Sequence, residues 1–304
     1  MKKFILHIII FGTIVLGLAF VADYVISKNL RQQTNMMELY SWNAIYSGNL
    51  HSDLIIQGSS RGYVNYNPQI LDSILGVNSF NLGNSTNMIV RQIIKYNTYR
   101  RFNIKPKYII QNIDCMTIQF NNEFREQFFP YFFDDSLRRA IAEYENFSLF
   151  EKYFPAYRYM SYYSFTTTLG GTKDKGIKGY YGLDRQWDGS RIPETEIDYD
   201  QDSVALSLFD KYLAKAYSEN IKVIFVYAPM YMALTEKIKN MEGMYQMYDS
   251  IARKYDIPIL DYNFDPMSYD TIYFFDATHL NKRGAEHFSV KLAHDIDSLG
   301  ILTK

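Results

Sequence analysis

The sequence predicts an α/β fold: a five-stranded parallel sheet covered by helices on both faces, with a central insertion and an N-terminal transmembrane helix. From residue 52 onward, short apolar runs alternate with segments of helical periodicity, a pattern that is typical of parallel sheets. The run Leu54-Ile55-Ile56 is apolar at every position, as expected for a strand that is buried on both faces. A longer apolar run near the N-terminus predicts the membrane segment.

The composition suits a globular protein with a substantial core. Of its 304 residues, 47% are hydrophobic and 21% are charged, which is close to the average for folded domains. The formal net charge is −1, so no overall field attracts nucleic acid. The single cysteine, Cys115, excludes an internal disulfide and a cysteine-based metal site. We predict neither a metal nor another cofactor.

The first 22 residues are predicted to form a membrane anchor. An apolar run at residues 4–22 follows Lys2 and Lys3; as a helix it would be about 28 Å long, close to the thickness of the hydrocarbon core. Lysines before such a run are expected to stay in the cytoplasm, which places the rest of the chain outside. A cleaved signal peptide is the alternative, but no small-x-small cleavage site follows the run, so we favour an uncleaved anchor.

Residues 23–51 are predicted to form a juxtamembrane helix and stalk, and residues 52–304 the α/β domain. The five strands are expected at residues 53–59, 77–83, 107–114, 222–227 and 258–262. Helices are expected to begin near Pro68 and after a cap at Ser85, and to cover residues 203–220 and 231–255. Asn281 is placed to cap a final helix that has one apolar face.

Residues 116–200 interrupt the alternation and form the central insertion. It contributes to a high aromatic content, 28 Tyr and 21 Phe in the whole chain. These rings either pack as a bulky core or form a surface that stacks on sugars. The insertion is expected to lie over the carboxyl edge of the sheet and shape a substrate site; a purely structural insertion is the alternative. Trp187 is the residue in it that we most expect to stack on a sugar ring.

Two segments carry the residues of a candidate site. Gly58 lets the chain turn sharply after the first strand, and Ser59 and Ser60 follow it at the edge where α/β sheets bind ligands. A serine there needs a base before it can attack a substrate. Asp276 and His279 are three residues apart, a spacing that lets the carboxylate orient the imidazole toward a hydroxyl.

The glycine-serine turn, Gly83 after the second strand and the Asp-x-x-His pair occur in the order of the motifs of the SGNH/GDSL hydrolase superfamily. The chain resembles that superfamily from about residue 52 to its end, apart from the insertion. The resemblance implies a three-layer, flavodoxin-like SGNH fold and a Ser-His-Asp triad acting on esters. Ser60 would be the nucleophile, His279 its base and Asp276 the residue that orients His279. The N–H groups of Ser60 and Gly83 would stabilise the oxyanion.

The third motif of the superfamily, Gly-x-Asn-Asp, is altered here. Residues 111–114 are Gln-Asn-Ile-Asp, so Asp114 falls where the family has the asparagine that serves as the third oxyanion donor. An ionised carboxylate cannot donate a hydrogen bond. Either Asn112 replaces that donor, or the oxyanion hole has two donors, or Asp114 has another role. Arg61 either positions a polar or acidic substrate or pairs with a neighbouring carboxylate.

The anchor and the Gly-Ser-Ser-Arg turn make the chain more similar to membrane-anchored members that handle acyl groups on envelope polymers than to secreted lipases. Those members include the D-alanyl transfer protein of teichoic acid modification and the alginate acetyltransferases. This resemblance implies an extracytoplasmic esterase or O-acyltransferase acting on an envelope glycan ester. For the transferase, a membrane acyl-donor protein would supply the acyl group. One alternative is a catalytically inactive SGNH-like module that binds polysaccharide or an assembly partner. Another is a signal-cleaved, soluble lipid or aryl esterase.

Overall fold

The structure is a computed structural model that describes residues 1–32, 37–85, 88–119, 126–144, 149–160, 176–197 and 201–302. Residues 120–125, 145–148, 161–175 and 198–200 of the central insertion lie outside the described residues. The chain divides into two compact units, one of residues 1–43 and 122–175 and the other of residues 44–121 and 176–304. Residues 122–175 of the insertion therefore belong with the N-terminal helices, and residues 116–121 and 176–200 belong with the sheet.

The second unit contains a parallel sheet with the strand order β2-β1-β3-β4-β5. Its strands are β1 Leu54–Gln57, β2 Ser79–Asn81, β3 Tyr108–Asn112, β4 Lys222–Tyr227 and β5 Ile259–Asp261. The predicted five-stranded, flavodoxin-like sheet is confirmed. In this order the first crossover runs outward to β2 and the next returns past β1 to β3, so a topological switch point lies between β1 and β3.

The helices alternate with the strands after an N-terminal pair. They are α1 Lys2–Leu30, α2 Met37–Ser47, α3 Ser60–Val64, α4 Pro68–Leu75, α5 Ile89–Phe102, α6 Asp135–Ala142, α7 Leu149–Tyr153, α8 Ser203–Ser218, α9 Met232–Thr235, α10 Met241–Tyr255 and α11 Lys282–Ser298. Short 3₁₀ segments cover Glu126–Tyr131, Tyr157–Tyr159, Pro266–Tyr269 and Thr271–Tyr273. Within the second unit, α4 packs against α11, while α5 and α10 both contact α8.

Helix starts agree with the expected caps in two of three cases. Asn281 accepts a hydrogen bond from the Gly284 N–H at 2.9 Å, as predicted for α11. Pro68 begins α4 as its first residue. Ser85 does not cap α5, because that helix starts at Ile89, beyond the reach of the serine side chain. The helix expected at 231–255 is two helices, α9 and α10, separated by a turn.

The core of the second unit fills both faces of the sheet. Alternate strand residues pack with α4 and α11 in one cluster of fully buried side chains: Leu54, Ile56, Ile110, Ile224 and Val226, with Leu71, Phe288 and Leu292. On β4, Phe225 alternates with these residues and packs instead on Phe209 of α8, with ring centroids 5.7 Å apart. Burying each such side chain contributes about 1.5–3 kcal/mol. The three-layer expectation is met because both sheet faces carry apolar side chains.

The first unit contains α1, the one helix among the described residues that is long and apolar enough to cross a membrane. Beyond it, Trp42 of α2 is 1% exposed and packs against Phe128 and Tyr131, with ring centroids 5.2 and 5.8 Å away. In this part of the insertion the aromatic residues therefore form a core, which is the first of the two alternatives that the composition left open.

Candidate active site

The chain turns abruptly where β1 ends. A Cβ atom added to Gly58 would lie 2.8 Å from both Asn112 Cβ and Gly62 Cα, so no larger residue fits between β3 and the start of α3. The turn makes Ser60 the first residue of α3. Ser60 thus lies at the carboxyl end of β1, beside the switch point at which open α/β sheets bind ligands.

Ser60, His279 and Asp276 lie in one hydrogen-bonded line. The Oγ atom of Ser60 is 2.7 Å from Nε2 of His279, across 219 residues of sequence. The other ring nitrogen, Nδ1, is 2.9 Å from both carboxylate oxygens of Asp276. This is the geometry in which a carboxylate fixes the tautomer of an imidazole that faces a hydroxyl. The structure brings all three residues together.

The loop before α11 is built around the Asp276 carboxylate. Its Oδ1 accepts hydrogen bonds from the N–H groups of Thr278 and His279, at 2.8 and 2.9 Å, and from the Thr278 hydroxyl at 2.8 Å. Partial burial opposes ionisation, but the hydrogen bonds from His279 and Thr278 dominate and hold the pKa of Asp276 well below its usual range. The aspartate is therefore a carboxylate at neutral pH. Sequence reasoning missed Thr278, although it stands inside the Asp-x-x-His motif.

A second missed residue, Asn65, fixes this loop to α3, the helix that begins at Ser60. Its Oδ1 accepts a hydrogen bond from the Leu280 N–H at 3.0 Å, and the asparagine is fully buried just after α3. Ser60 begins the same helix, so the contact joins the segment that carries Ser60 to the segment that carries His279. No sequence pattern indicates this contact, because the two residues lie 215 positions apart.

Asp114 is a buried acceptor, and it does not face the triad as a donor. It is 2% exposed, and its Oδ1 accepts from the N–H groups of Met116 and Thr117, both at 3.0 Å. Its Oδ2 accepts from Nδ2 of Asn112 at 3.0 Å. Of the alternatives that the altered third motif left open, the contacts of Asp114 fit the last, a role other than oxyanion binding.

Arg61 and Ser59 are also directed toward Asp114. The guanidinium lies 3.6 Å from Oδ2 of Asp114 and donates to the carbonyl of Ala228, and the residue is 6% exposed. Arg61 thus pairs with a neighbouring carboxylate, and its expected role in substrate binding is not supported. Ser59 donates its hydroxyl to the same carboxylate at 3.4 Å. The adjacent serines therefore have different partners, and only Ser60 contacts the histidine.

The Asn112 side chain is buried and bonded to protein groups. It is fully buried, its Nδ2 donates to Asp114, and its Oδ1 accepts from the Tyr66 hydroxyl at 2.7 Å. Burial raises the pKa of Tyr66 well above the usual value for tyrosine, so this hydroxyl stays a donor. The expectation that Asn112 replaces the missing third donor is not supported, because its side chain is fully buried and its amide group is directed at Asp114 and Tyr66.

Gly83 is required for packing and does not present its N–H to the site. The N–H donates to Oδ1 of Asn81 at 2.8 Å. A Cβ atom at this position would lie 2.6 Å from the backbone nitrogen of Tyr63, so the glycine lets the loop after β2 approach α3. The expected oxyanion role of Gly83 is not supported. Of the three expected donors, the Ser60 N–H alone has no acceptor within the described part of the chain.

Trp187 lies in the core of the sheet unit, which corrects the expectation that it stacks on a sugar. It is 6% exposed, its indole N–H donates to the Ser190 carbonyl at 2.8 Å, and the Tyr231 ring packs edge-on at 5.0 Å. Both faces of the indole are inaccessible to a ligand in this arrangement.

The described residues include neither a reactive cysteine nor a candidate metal site. Burial raises the pKa of Cys115 to about 12, so its thiol is not a nucleophile at neutral pH. The described residues include no group of three or more histidine, cysteine, aspartate or glutamate side chains able to hold a metal ion.

The fold that carries these residues is the flavodoxin-like α/β fold described above, with Ser60, His279 and Asp276 at the carboxyl edge of its sheet. Solved structures that overlap with it include a GDSL-like lipase from Bacteroides thetaiotaomicron (9% identity, TM-score 0.41, 84% of this chain and 98% of that chain). Another is an acetyl xylan esterase (12% identity, TM-score 0.41, 82% of this chain and 100% of that chain). A third is an alpha/beta hydrolase enzyme from the metagenome of Lake Arreo, Spain (12% identity, TM-score 0.42, 83% of this chain and 97% of that chain). No protein-family model and no curated protein matches the chain.

Proposed function

We propose that this protein is a membrane-anchored, extracytoplasmic esterase or O-acyltransferase that acts on an acyl ester of an envelope glycan. The observation that carries the proposal is the 2.7 Å contact between Ser60 Oγ and His279 Nε2, with Asp276 bound to the other ring nitrogen. A serine hydroxyl held against an oriented imidazole is the arrangement used for nucleophilic attack on esters.

In the proposed reaction, Ser60 Oγ attacks the ester carbonyl while neutral His279 accepts the hydroxyl proton at Nε2. Asp276 stabilises the imidazolium that forms. The Ser60 N–H would donate to the developing oxyanion, an interaction that strengthens in the transition state. Collapse of the tetrahedral intermediate breaks the ester C–O bond, and His279 returns the proton to the leaving alcohol. The acyl group stays on Ser60 until water or a sugar hydroxyl, deprotonated by His279, attacks it.

The membrane anchor is part of the proposal and favours acyl transfer over simple hydrolysis. Helix α1 is long and apolar enough to span a bilayer, and Lys2 and Lys3 at its start support a cytoplasmic N-terminus. Tethering raises the local concentration of the enzyme near membrane-bound donors and nascent polymers. A membrane acyl-donor protein is the partner that such an arrangement would serve.

A reactive-serine probe tests the enzymatic claim. The full-length protein in detergent should be labelled by a fluorophosphonate, and Ser60→Ala should abolish the labelling. Ser59→Ala is the matched control, since it removes the adjacent hydroxyl but not the contact with His279, and it should still be labelled. Equal labelling of wild type and Ser60→Ala would refute the assignment of the nucleophile.

Transfer and hydrolysis separate in a second experiment. The protein is given an activated acetyl ester and envelope oligosaccharides, and acetylated sugars are sought by mass spectrometry. Acetyl-sugar that requires Ser60 supports the transferase. Release of acetate alone, with every acceptor tried, leaves an esterase and contradicts the transferase.

A catalytically inactive SGNH-like module is the second candidate, and one observation favours it. The Gly83 N–H and the Asn112 amide are bound within the protein, which leaves the Ser60 N–H as the one expected oxyanion donor without an acceptor in the described residues. This candidate predicts no probe labelling by the folded wild-type protein and polysaccharide binding that Ser60→Ala leaves unchanged.

A further inference from the structure

The first unit has an exposed apolar patch that lies outside its buried core. Six large side chains near α7 are between 40% and 77% exposed: Leu149, Phe150, Tyr153, Phe154, Tyr157 and Met160. We call these six residues the aromatic patch. Within it, the Phe150 ring lies 5.4 Å from the Tyr157 ring and 6.4 Å from the Phe154 ring. Exposed large apolar side chains grouped in this way mark a binding face.

Hydrogen bonds attach the patch to α1 at a defined height. Asp23 accepts from the Ala156 N–H at 2.9 Å and from the Arg158 guanidinium at 2.7 Å. One turn further along α1, the Ser27 hydroxyl is 2.7 Å from the Tyr159 hydroxyl. Asp23 is the first charged residue after the apolar run at residues 4–22. The patch is therefore held where the apolar part of α1 ends.

The pattern of exposed and buried side chains on α1 also places the patch at the end of the apolar part of the helix. Apolar side chains of the run are exposed, among them Phe11 at 69% and Leu18 at 65%. From there on, one face of the helix is half-buried or buried at helical spacing, at Ala19, Ala22, Asp23, Ile26, Ser27 and Leu30. The protein that covers this face thus begins at Ala19, about 6 Å before Asp23 along the helix axis.

The chemistry of the patch fits a bilayer interface. Tyrosine side chains concentrate where lipid headgroups meet acyl chains, and phenylalanine and leucine on one face bury shallowly at that depth. On α1, exposed Tyr24 lies at this height, with the Lys28 ammonium 5.9 Å from its ring centroid. A cation there would favour anionic headgroups.

We propose that the aromatic patch is a second membrane contact, which lies in the headgroup region of the leaflet where α1 leaves the bilayer. The proposal rests on the membrane anchoring put forward above. It predicts that the first unit is held at a fixed depth by two contacts, the spanning helix and the patch, and that Phe150 faces lipid while α1 crosses it.

The test uses the full-length protein in vesicles of phosphatidylcholine and phosphatidylglycerol that carry bromine on the acyl chains near the headgroup. Phe150→Trp reports on the patch. Phe133→Trp is the matched control, because Phe133 is 61% exposed and lies 5.0 Å from the Arg31 guanidinium, about 12 Å further along α1 than Asp23. Emission from the native Trp42 and Trp187, both buried, is subtracted with the wild-type protein. Leu16→Trp reports on the anchor itself.

We expect bromolipid to quench Phe150→Trp about twofold or more relative to Phe133→Trp, and aqueous acrylamide to quench Phe133→Trp more strongly, since interfacial aromatic residues sit among the headgroups. If Leu16→Trp is quenched by lipid but Phe150→Trp is open to acrylamide, the patch is in water and the inference fails alone. If Phe150→Trp is shielded from both quenchers, protein such as a second copy covers it, and the inference also fails. If Leu16→Trp is not quenched by bromolipid, α1 does not cross the bilayer, and the proposed membrane anchoring is wrong before the patch is considered.

Discussion

At the residue scale, the Asp276 carboxylate has a structural role and, in the proposed reaction, a catalytic one. It binds the imidazole of His279 and closes the loop through Thr278. Asp276→Asn should lower turnover by about 10²–10⁴-fold, because the amide favours the wrong tautomer of the histidine. Ester hydrolysis at neutral pH measures this loss. Activity within a factor of a few of wild type would contradict the orienting role.

The same carboxylate predicts a pH dependence of stability. Hydrogen bonds depress the pKa of Asp276 in the folded protein, so its stabilising contribution is complete above the unfolded pKa of about 3.9 and is lost as the pH falls below that value. The melting temperature of Asp276→Asn should therefore lie below that of wild type at pH 7, and the difference should shrink below about pH 4. A difference that grows in acid would have the wrong sign.

Asp114 gives a prediction that separates structure from catalysis. Asp114→Asn leaves the buried Arg61 guanidinium without its ion pair, and breaking such a pair typically costs about 3–5 kcal/mol of unfolding free energy. Asp249→Asn is the control, because its pair with Arg253 is exposed and should contribute little. Denaturant unfolding of both variants measures the difference. An Asp114→Asn protein as stable as wild type, yet inactive, would instead indicate a direct part in the reaction.

At the scale of elements, the approach of the β2 loop to α3 depends on Gly83. Gly83→Ala would bring a methyl group to 2.6 Å from the Tyr63 nitrogen, so α3 and Ser60 must move. We expect a loss of about 1–3 kcal/mol in stability, as for other overpacked sites, and reduced probe labelling. Gly243→Ala is the control: within α10 its added methyl meets no atom within 4 Å. Equal effects of the two changes would rule out the packing role.

Sequence patterns predicted those elements whose structure depends on neighbouring residues. The strands follow from apolar runs, and α11 follows from the Asn281 cap. The roles that failed depend on contacts between distant segments. Asp114 binds Arg61 of α3, and Trp187 is buried by Tyr231 and by the loop before α11. Gly83 is the exception, because the contact that overturned its expected role is local. Its N–H donates to the side chain of Asn81, two residues earlier, and asparagine side chains often bind backbone N–H groups two residues further on.

At the scale of the whole molecule, the proposed anchoring predicts that α1 spans the membrane once and is retained in the mature protein. Lys2 and Lys3 precede the apolar run, so a reporter fused at the C-terminus should be active only outside the cytoplasm. The mass of the mature protein should include residues 4–22. A reporter active only in the cytoplasm would overturn the orientation, and a mature protein that begins after residue 22 would show that the segment is a cleaved signal.

The most direct test of the central claim is to trap the acyl-enzyme. The full-length protein is mixed briefly with an activated acetyl ester, quenched in acid and digested, and the peptide that contains Ser59 and Ser60 is sequenced by mass spectrometry. The proposed mechanism predicts one acetyl group on Ser60. This acetylation should be far slower in His279→Ala, because the Ser60 hydroxyl has then lost its base. An acetyl group on Ser59, or equal acetylation of Ser60 in wild type and His279→Ala, would contradict it.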